Sequence, residues 1–235
     1  MTKDDLIRNN PLRALGLGDT TDNGNQGMGL VMARAGLGKT AILVQVALDF
    51  MMRGERVLHV SIGETVDKAR SWYDDIFSLI TSDMIESERA EIEPEIMRNR
   101  MIMTFKESSF SLATLEERLD DFIKQDVYQP QCLIVDGYDF STSDRSMVED
   151  FDTLRKKRNL SMAWFSAVSH RADGRVSANG VPAPCHEMED MFGTVLFINP
   201  EEQAIKLDIL KCVACEIDAS SKLAFDPSTM LIKKS

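Results

Sequence analysis

The segment from Ala33 to Thr40, with the sequence Ala-Arg-Ala-Gly-Leu-Gly-Lys-Thr, constrains the fold of this chain more than any other. It follows an apolar run, Met28 to Met32, and leads into a helical pattern that starts at Lys39. Because glycine adopts the backbone angles of a tight turn, this order predicts a strand, a glycine-rich loop and a helix. Such a loop turns its N–H groups inward at the positive end of the helix dipole, an arrangement that binds phosphate.

The side chains of this loop are those that a nucleoside triphosphate with Mg²⁺ requires. Lys39 would reach the β and γ phosphates, and the Thr40 hydroxyl would ligate Mg²⁺. Ala33 takes the place of the first glycine of the motif, and the alternative interpretation is a chance glycine-rich turn before a helix. We therefore expect ATP and Mg²⁺ as cofactors. The predicted nucleotide-binding residues are Ala33, Arg34, Ala35, Gly36, Leu37, Gly38, Lys39 and Thr40.

Two carboxylates that follow apolar runs are further candidates. Asp136 ends the run Cys-Leu-Ile-Val-Asp. Because ligands gather at the carboxyl ends of parallel strands, Asp136 would lie beside the phosphates and hold a Mg²⁺-bound water, so the predicted metal site comprises Thr40 and Asp136. Glu64 follows the next strand after the loop helix, and we expect that strand to lie beside the loop strand. Glu64 would then stand where a general base for attack on the γ phosphate is needed. The alternative for Glu64 is a carboxylate at the start of a helix near Thr65.

Apolar runs alternate with helical stretches along the chain, which predicts an α/β fold with a mainly parallel central sheet flanked by helices. The more alternating C-terminal segments predict antiparallel edge strands. Predicted strands span 28–32, 56–61, 101–105, 132–135, 161–166, 194–198 and 204–213, with one or two more within 223–232. Predicted helices span 6–15, 39–53, 66–80, 82–98, 112–125 and 146–158, with a kink at Pro94.

Size and composition favour one main domain, since 235 residues with 43% hydrophobic content bury one substantial core. We expect residues 1–27 to form an N-terminal helix and a lead-in loop, and residues 28–235 to form the domain. No apolar run is long enough to span a bilayer, and the first residues lack the layout of a signal peptide. These features predict a soluble, cytoplasmic protein without a membrane partner, in which the four cysteines stay reduced.

The formal net charge of −11 argues against a nucleic-acid partner, because the molecule as a whole repels a phosphate backbone. The segment 171–184 is longer and richer in Gly and Pro than a plain connection requires. Its only cations are Arg171 and Arg175, so a mobile loop that binds a protein partner is favoured over one that binds DNA.

Four segments together resemble the RecA-like ATPase core of KaiC and of DnaB-type replicative helicases, a similarity that runs from about residue 29 to 213. They are residues 29–40, the strand that leads to Glu64, the strand that ends at Asp136, and residues 164–171. The resemblance implies a RecA-like P-loop fold and hydrolysis of Mg-ATP coupled to a partner or to assembly. In this family a polar residue, often Gln, senses the γ phosphate at the end of the last of these strands. Here Ser169 and His170 stand there, and His170 becomes a catalytic candidate.

The resemblance also implies catalysis between subunits. Residues 205–213 resemble the KaiC strand that supplies a Lys and an Arg to the ATP of a neighbouring subunit. Lys211 fits the Lys, whereas Val213 occupies the Arg position. We therefore expect a homo-oligomer with Lys211 at the neighbour's nucleotide; the alternative is a nucleotide-dependent regulatory switch with weak hydrolysis. A ParA-type partition ATPase fits less well, because its signature Lys early in the loop is Arg34 here.

Three other patterns are better explained without a ligand. Cys212 and Cys215, with Cys185 and His186, offer four zinc ligands, but a single Cys-x-x-Cys is more often two cysteines of an edge strand and its turn. The basic run 155–158 ends a predicted helix, where cations complement the helix dipole. The acidic stretch 86–95 is expected to be a solvated helical face.

Overall fold

The chain forms an α/β fold on a single mixed sheet. The computed structural model describes residues 2–15, 27–170, 172–200, 205–213, 215 and 223–234. The strands are β1 (Met28–Ala33), β2 (Val57–Ile62), β3 (Arg100–Phe105), β4 (Cys132–Asp136), β5 (Met162–Val168), β6 (Thr194–Pro200), β7 (Ile205–Cys212), β8 (Leu223–Asp226) and β9 (Leu231–Lys234). The helices are α1 (Lys3–Asn9), α2 (Lys39–Met52), α3 (Val66–Ile80), α4 (Glu86–Met97), α5 (Leu112–Lys124) and α6 (Arg145–Lys157). Among these helices none is long and apolar enough to cross a membrane.

The strand order is β3-β2-β4-β5-β1-β6-β7-β8-β9. Neighbours from β3 to β6 are parallel, and the pairs from β6 to β9 are antiparallel. The predicted α/β class, the parallel centre and the antiparallel C-terminal strands are therefore confirmed. The expectation that the strand before Glu64 lies beside the loop strand is wrong, because β5 and β4 separate β2 from β1. Both inserted strands are apolar on their two faces, which suits the centre of a sheet covered by helices.

The core lies on both faces of the sheet. Side chains of β1 alternate between the two layers: Val31 packs with α2 and α3 on one face, and Leu30 packs with α5 and α6 on the other. Helix α2 is buried from Ala41 to Met52, because it lies between the sheet and α3. This burial fixes the start of α2, and with it Lys39 and Thr40, relative to the carboxyl ends of the parallel strands.

The ends of α2 are tied to distant parts of the chain. Gln45 donates a hydrogen bond to the Met230 carbonyl at 2.8 Å and accepts one from the Ile232 N–H at 2.8 Å, so the β8–β9 hairpin packs against the first half of α2. Near the other end, the fully buried Asp49 accepts hydrogen bonds from Asn10 and Arg13 of the N-terminal segment. Burial raises the pKa of Asp49, and the charges of Arg13 and Arg53 oppose that rise.

Several predicted boundaries differ from those observed. The N-terminal helix, predicted over 6–15, is α1 followed by a 3₁₀ helix at Pro11–Leu15, because the extended Asn10 precedes a proline. Helix α4 begins at Glu86, not at residue 82, and it contains Pro94. The lead-in loop predicted before residue 28 falls mainly on residues 16–26, which lie outside the described residues.

Candidate functional site

The loop between β1 and α2 passes through two left-handed glycines. Gly36 has a φ of 77° and Gly38 a φ of 88°, angles at which any other residue would be strained. Gly38 is the N-cap of α2 and brings no capping side chain, so the first N–H groups of the helix face the loop. A Cβ at Gly38 would also lie 2.6 Å from the Phe225 ring, so β8 packs closely on this turn. The loop thus has the backbone that the sequence predicts for anion binding.

Lys39 lies between a carbonyl and a carboxylate. Its Nζ atom donates a hydrogen bond to the Arg34 carbonyl, 3.1 Å away on the opposite side of the loop. Burial lowers the pKa of the Lys39 ammonium, and the negative charge of Asp136 opposes that shift. The loop therefore brings a partly desolvated cation to the end of β4, where it interacts more strongly with an anion than it would in bulk water.

Thr40 and Asp136 meet although they are far apart in the sequence. The Thr40 hydroxyl donates a hydrogen bond to Oδ2 of Asp136 at 2.7 Å. The second carboxylate oxygen, Oδ1, accepts a hydrogen bond of 2.5 Å from the Ser166 hydroxyl at the end of β5. Ser166 in turn accepts a hydrogen bond from the Gly137 N–H at 3.0 Å, which fixes its orientation. The two hydroxyls thus hold both oxygens of Asp136 in place.

Ser166 is a site residue that sequence reasoning missed. It is 3% exposed and is the one hydroxyl within the apolar strand Met162–Val168. Its position follows from strand register: Val135 pairs with Phe165, so the next residues along, Asp136 and Ser166, are neighbours. The sequence would have revealed this contact only if β5 had been known to lie beside β4.

The donor set at Thr40 and Asp136 suits a hard divalent cation. Mg²⁺ prefers oxygen ligands and keeps several of its waters, so one hydroxyl and one carboxylate are enough on the protein side. Within the described part of the chain, no group of three or more His, Cys, Asp or Glu side chains has metal-binding geometry.

A cavity of about 870 Å³ opens beside these residues at the carboxyl ends of β2, β4 and β5. Lys39, Asp136, Ser166 and His170 line one end of it. Its opposite wall comes from the β3–α5 loop and from α6. The structure therefore brings together three of the residues on which the predicted chemistry depends, Lys39, Asp136 and His170, of which His170 is an exposed residue just after β5.

Glu64 does not line this cavity. It is exposed, forms an ion pair with Lys68 one turn along α3, and faces a neighbouring groove between the ends of β2 and β3. The side chain of Thr65 caps α3, as the helix-start interpretation predicts. Glu107, which sequence reasoning missed, lines both the cavity and the groove, and its side chain approaches Gly63. Two carboxylates therefore border the region from different strand ends.

Lys211 lies on β7, opposite Val195 of β6. Its Nζ atom donates a hydrogen bond to the Glu189 carbonyl at 2.9 Å, so its partner in this chain is a main-chain oxygen of a 3₁₀ helix. Val213, the residue at the expected Arg position, is 54% exposed. Lys211 does not line the cavity that contains Lys39.

The expectation that all four cysteines are reduced is wrong, because Cys212 and Cys215 form a disulfide. Their Cα atoms are 5.5 Å apart, a separation typical of a disulfide. Cys132 and Cys185 are free and buried, and Cys185 with His186 gives no metal site with the cysteine pair among the described residues.

The charged segments form local ion pairs. The cations of the run 155–158 bind carboxylates of α5 and α6, among them Glu116 and Asp152. In the segment 171–184, Arg175 pairs with Asp173, and Asn179 donates to Glu189 at 3.0 Å. Arg171 lies outside the described residues. The described cations of both segments are thus engaged within the chain.

No family model matches the chain, and no curated protein matches it either.

Proposed function

We propose that this chain is a RecA-like P-loop ATPase that binds Mg-ATP and hydrolyses it between copies of itself, with hydrolysis coupled to a partner or to assembly. The observation that carries the proposal is the 2.7 Å bond between Thr40 and Asp136, which joins the first turn of the loop helix to the end of β4. Beside this pair lie a half-buried lysine and two left-handed glycines. Together these are the groups that a Mg-triphosphate site requires.

The sheet supports the RecA-like part of the proposal. Strands β1, β5 and β4 are neighbours in that order and parallel, so the segments that resemble KaiC and DnaB end at the same edge of the sheet. Ligands of open α/β sheets bind at this edge. The antiparallel strands β7 to β9 extend the sheet beyond β6, in the region that resembles the KaiC strand with the trans-acting Lys.

Each residue of the site has a role in this proposal. The N–H groups of the loop and the Lys39 ammonium hold the β and γ phosphates, and a phosphate oxygen replaces the Arg34 carbonyl as the partner of Lys39. Thr40 and Asp136 hold the metal or its waters, and Ser166 orients Asp136. Bound Mg²⁺ would neutralise charge on the β and γ phosphate oxygens during transfer. Glu64 orients the attacking water, with Glu107 and His170 as the nearest alternatives.

A nucleotide-dependent switch with weak hydrolysis is the second candidate, and three observations favour it. Glu64 is paired with Lys68 outside the cavity. Lys211 is bonded to the Glu189 carbonyl of its own chain, and Val213 stands at the Arg position. A steady-state phosphate-release assay separates the candidates: turnover that is lost in Glu64→Gln supports the ATPase, whereas tight Mg-ATP binding without turnover supports the switch.

Replacing Lys39 tests nucleotide binding itself. Lys39→Ala removes a charge-assisted contact to the β and γ phosphates, so we expect ATP affinity to fall by about 1.5 to 3 kcal/mol or more, roughly tenfold to a hundredfold. The measurement is calorimetric titration with Mg-ATP. Lys124→Ala, an exposed lysine on α5 with the same change of charge, is the matched control. Equal affinity of Lys39→Ala and the parent protein would refute the assignment of this loop.

A further inference from the structure

The cavity beside Lys39 extends well beyond the groups that a triphosphate needs. At about 870 Å³ it lies within the range of roughly 300 to 1,000 Å³ that small-molecule sites span. Only one end of it is formed by the phosphate-loop lysine and the end of β4. The larger part lies between α6, the 3₁₀ helix at Phe140–Thr142 and the β3–α5 loop, where none of the nucleotide-binding residues lies.

The walls of this larger part are aromatic and apolar. Tyr138 packs edge-to-face against Phe140 and Phe151, with ring centroids 4.9 and 5.2 Å apart, and Phe110 completes the cluster at 6.0 Å from Tyr138. Of the large apolar side chains that are exposed, two line this cavity: Met147 is 46% exposed and Val168 is 37% exposed. Rigid aromatic walls with exposed apolar side chains favour a ligand with an aromatic or branched aliphatic body.

The charged residues that line the cavity determine whether a positively or a negatively charged ligand is favoured. Glu107, Asp139 and Asp150 line the cavity, and none of the three forms an ion pair with a described residue. Among the described residues, the only basic side chains in the lining are Lys39, which is bonded to the loop carbonyl, and His170. The carboxylates repel a polyphosphate from the aromatic part, so a triphosphate on the loop would present only its terminal phosphate to the cavity.

We propose that this cavity binds a small organic cation with an aromatic or branched aliphatic body, next to the terminal phosphate of the bound nucleotide. Glu107, Asp139 and Asp150 supply the negative charge that attracts the cationic group, although Asp139 also accepts hydrogen bonds from Ser141 and Thr142, and the ring cluster receives the apolar body. The position next to the terminal phosphate rests on the proposed function, whereas the cation site itself rests only on the lining. Such a ligand would be a second substrate or an effector of the nucleotide reaction.

Two probes with the same ring and opposite charge test the proposal. Tryptamine and indole-3-propionate share an indole ring and differ in having an ammonium or a carboxylate on a two-carbon arm. A ligand of this size has a Kd of about 1 mM, and we expect tryptamine to bind about fivefold more tightly than the anion. Binding is measured by calorimetry and by ligand-observed NMR without nucleotide. Absence of tryptamine binding at about 10 mM, or equal binding of the two probes, would overturn the proposal.

A charge introduced into the cavity gives the matched comparison. Met147→Lys, at an exposed position of α6, is expected to weaken tryptamine about fivefold and to strengthen indole-3-propionate. Ile85→Lys makes the same change of charge at a residue that is 65% exposed and outside the cavity, and it should leave both affinities within about twofold. Equal effects of the two substitutions would show that the probes respond to net charge only and would overturn the cavity assignment.

Mg-ATP titrations of the same proteins keep the two proposals distinct. If the parent protein fails to bind Mg-ATP but shows the predicted charge selectivity for tryptamine, the ATPase proposal fails and the cation site stands. If it binds Mg-ATP and shows no charge selectivity, the cation site fails alone. A basic, aromatic dipeptide amide, Lys-Trp amide, is the third probe. If this dipeptide binds more than about tenfold more tightly than tryptamine, the proposed small-molecule ligand is wrong and the cavity is a site for a polypeptide partner.

Discussion

Asp136 is held at both of its carboxylate oxygens, by Thr40 on one side and by Ser166 on the other. Thr40 lies in the first turn of α2. Ser166 is fixed by its hydrogen bond from the Gly137 N–H and by the parallel pairing of β4 and β5. A metal or its waters would compete with the Thr40 bond but leave the Ser166 bond in place. Ser166 is therefore a positioning residue: it keeps the carboxylate turned toward the loop when a ligand arrives.

Removing the Ser166 hydroxyl tests this role. In Ser166→Ala the carboxylate loses one of its two donors, so we expect the Mg²⁺-dependent part of ATP affinity to fall about tenfold, while ATP affinity in EDTA stays unchanged. Ser166→Thr keeps the hydroxyl and should restore most of the Mg²⁺ dependence. ATP titrations with and without Mg²⁺ measure both quantities. An equal loss in the presence and absence of Mg²⁺ would indicate a packing defect and not a role toward the metal.

Glu64 gives a second prediction at the scale of single residues. Glu64→Gln should leave Mg-ATP affinity within about twofold and lower the rate of phosphate release about 10² to 10⁴ fold, since that is the range of general base catalysis. The control is Lys68→Ala, which breaks the observed ion pair between Lys68 and Glu64 but keeps the Glu64 carboxylate. If Glu64→Gln turns over ATP at the parental rate, Glu107→Gln and His170→Gln become the next variants, because both residues line the cavity.

These residues also show where prediction from sequence ends. Lys39, Thr40 and Asp136 were identified because their neighbours in sequence define a loop, a helix start and a strand end, which are local features. No such local pattern surrounds Ser166 or Glu107. Ser166 reaches the site because β5 lies beside β4, and Glu107 reaches the cavity because it begins a 3₁₀ helix after β3. The order of strands in a sheet depends on how whole strands are buried, which a local sequence pattern does not reveal. For this reason the expectation that β2 lies beside β1 is wrong, and the sequence does not show that the ends of β4 and β5 are adjacent.

At the scale of elements, β2 and α3 are joined by a buried polar pair. Nδ1 of His59 lies 2.9 Å from the Tyr73 hydroxyl, and both side chains are fully buried. Burial lowers the pKa of His59 to about 4, with Asp136 opposing the shift and Arg100 adding to it. Because the unfolded state binds a proton near pH 6.5 and the folded state does not, stability is lost as the pH falls from about 6.5 toward about 4.

Chemical denaturation at two pH values tests this linkage. The parent protein should lose about 2 kcal/mol of unfolding free energy through His59 between pH 7 and pH 5. His59→Gln cannot titrate in this range, so we expect the variant to be less stable at pH 7 but to lose about 2 kcal/mol less on acidification. The carboxylates are the same in both proteins, and the difference between the two slopes therefore isolates His59. Parallel slopes would show that His59 is protonated in the fold or titrates alike in both states.

Helices and strands were predicted best where burial and local caps agree. Helix α3 was predicted with its observed bounds, since Thr65 caps it and its apolar positions recur at helical spacing. The start of α4 was placed too early, because its apolar positions define no single face and its N-cap, Ile85, makes no side-chain bond that a sequence pattern would reveal. The break between α1 and the 3₁₀ helix follows from the local Asn10-Pro11 pair, whereas the position of the 3₁₀ helix also depends on tertiary bonds of Asn10 and Arg13 to the buried Asp49, which local propensity does not encode.

At the scale of the whole molecule, the loop and Lys211 lie at opposite ends of nearby strands: the loop follows the carboxyl end of β1, whereas Lys211 pairs with Val195, which pairs with Leu30 near the amino end of β1. Lys39 follows β1, whereas Lys211 lies on β7, with β6 between the two strands. In the proposed oligomer, Lys211 would leave the Glu189 carbonyl and contact the nucleotide of a neighbouring copy. The bond to the Glu189 carbonyl joins one charge and a dipole, whereas a contact with a triphosphate joins two opposite charges, so this exchange of partners would favour the proposed oligomer.

Self-association with nucleotide is thus the last prediction. We expect the parent protein to form a closed oligomer with a non-hydrolysable Mg-ATP analogue and to be smaller with ADP, because a second copy excludes water and neutralises the exposed γ phosphate. Lys211→Ala should remain small in both states, whereas Lys124→Ala, with the same change of charge, should assemble like the parent. Light scattering at concentrations well above the nucleotide Kd measures the mass, and thermal unfolding checks that loss of the Glu189 contact leaves the fold intact. A parent protein that stays monomeric in every nucleotide state would refute catalysis between subunits and leave a monomeric switch that acts on a different protein.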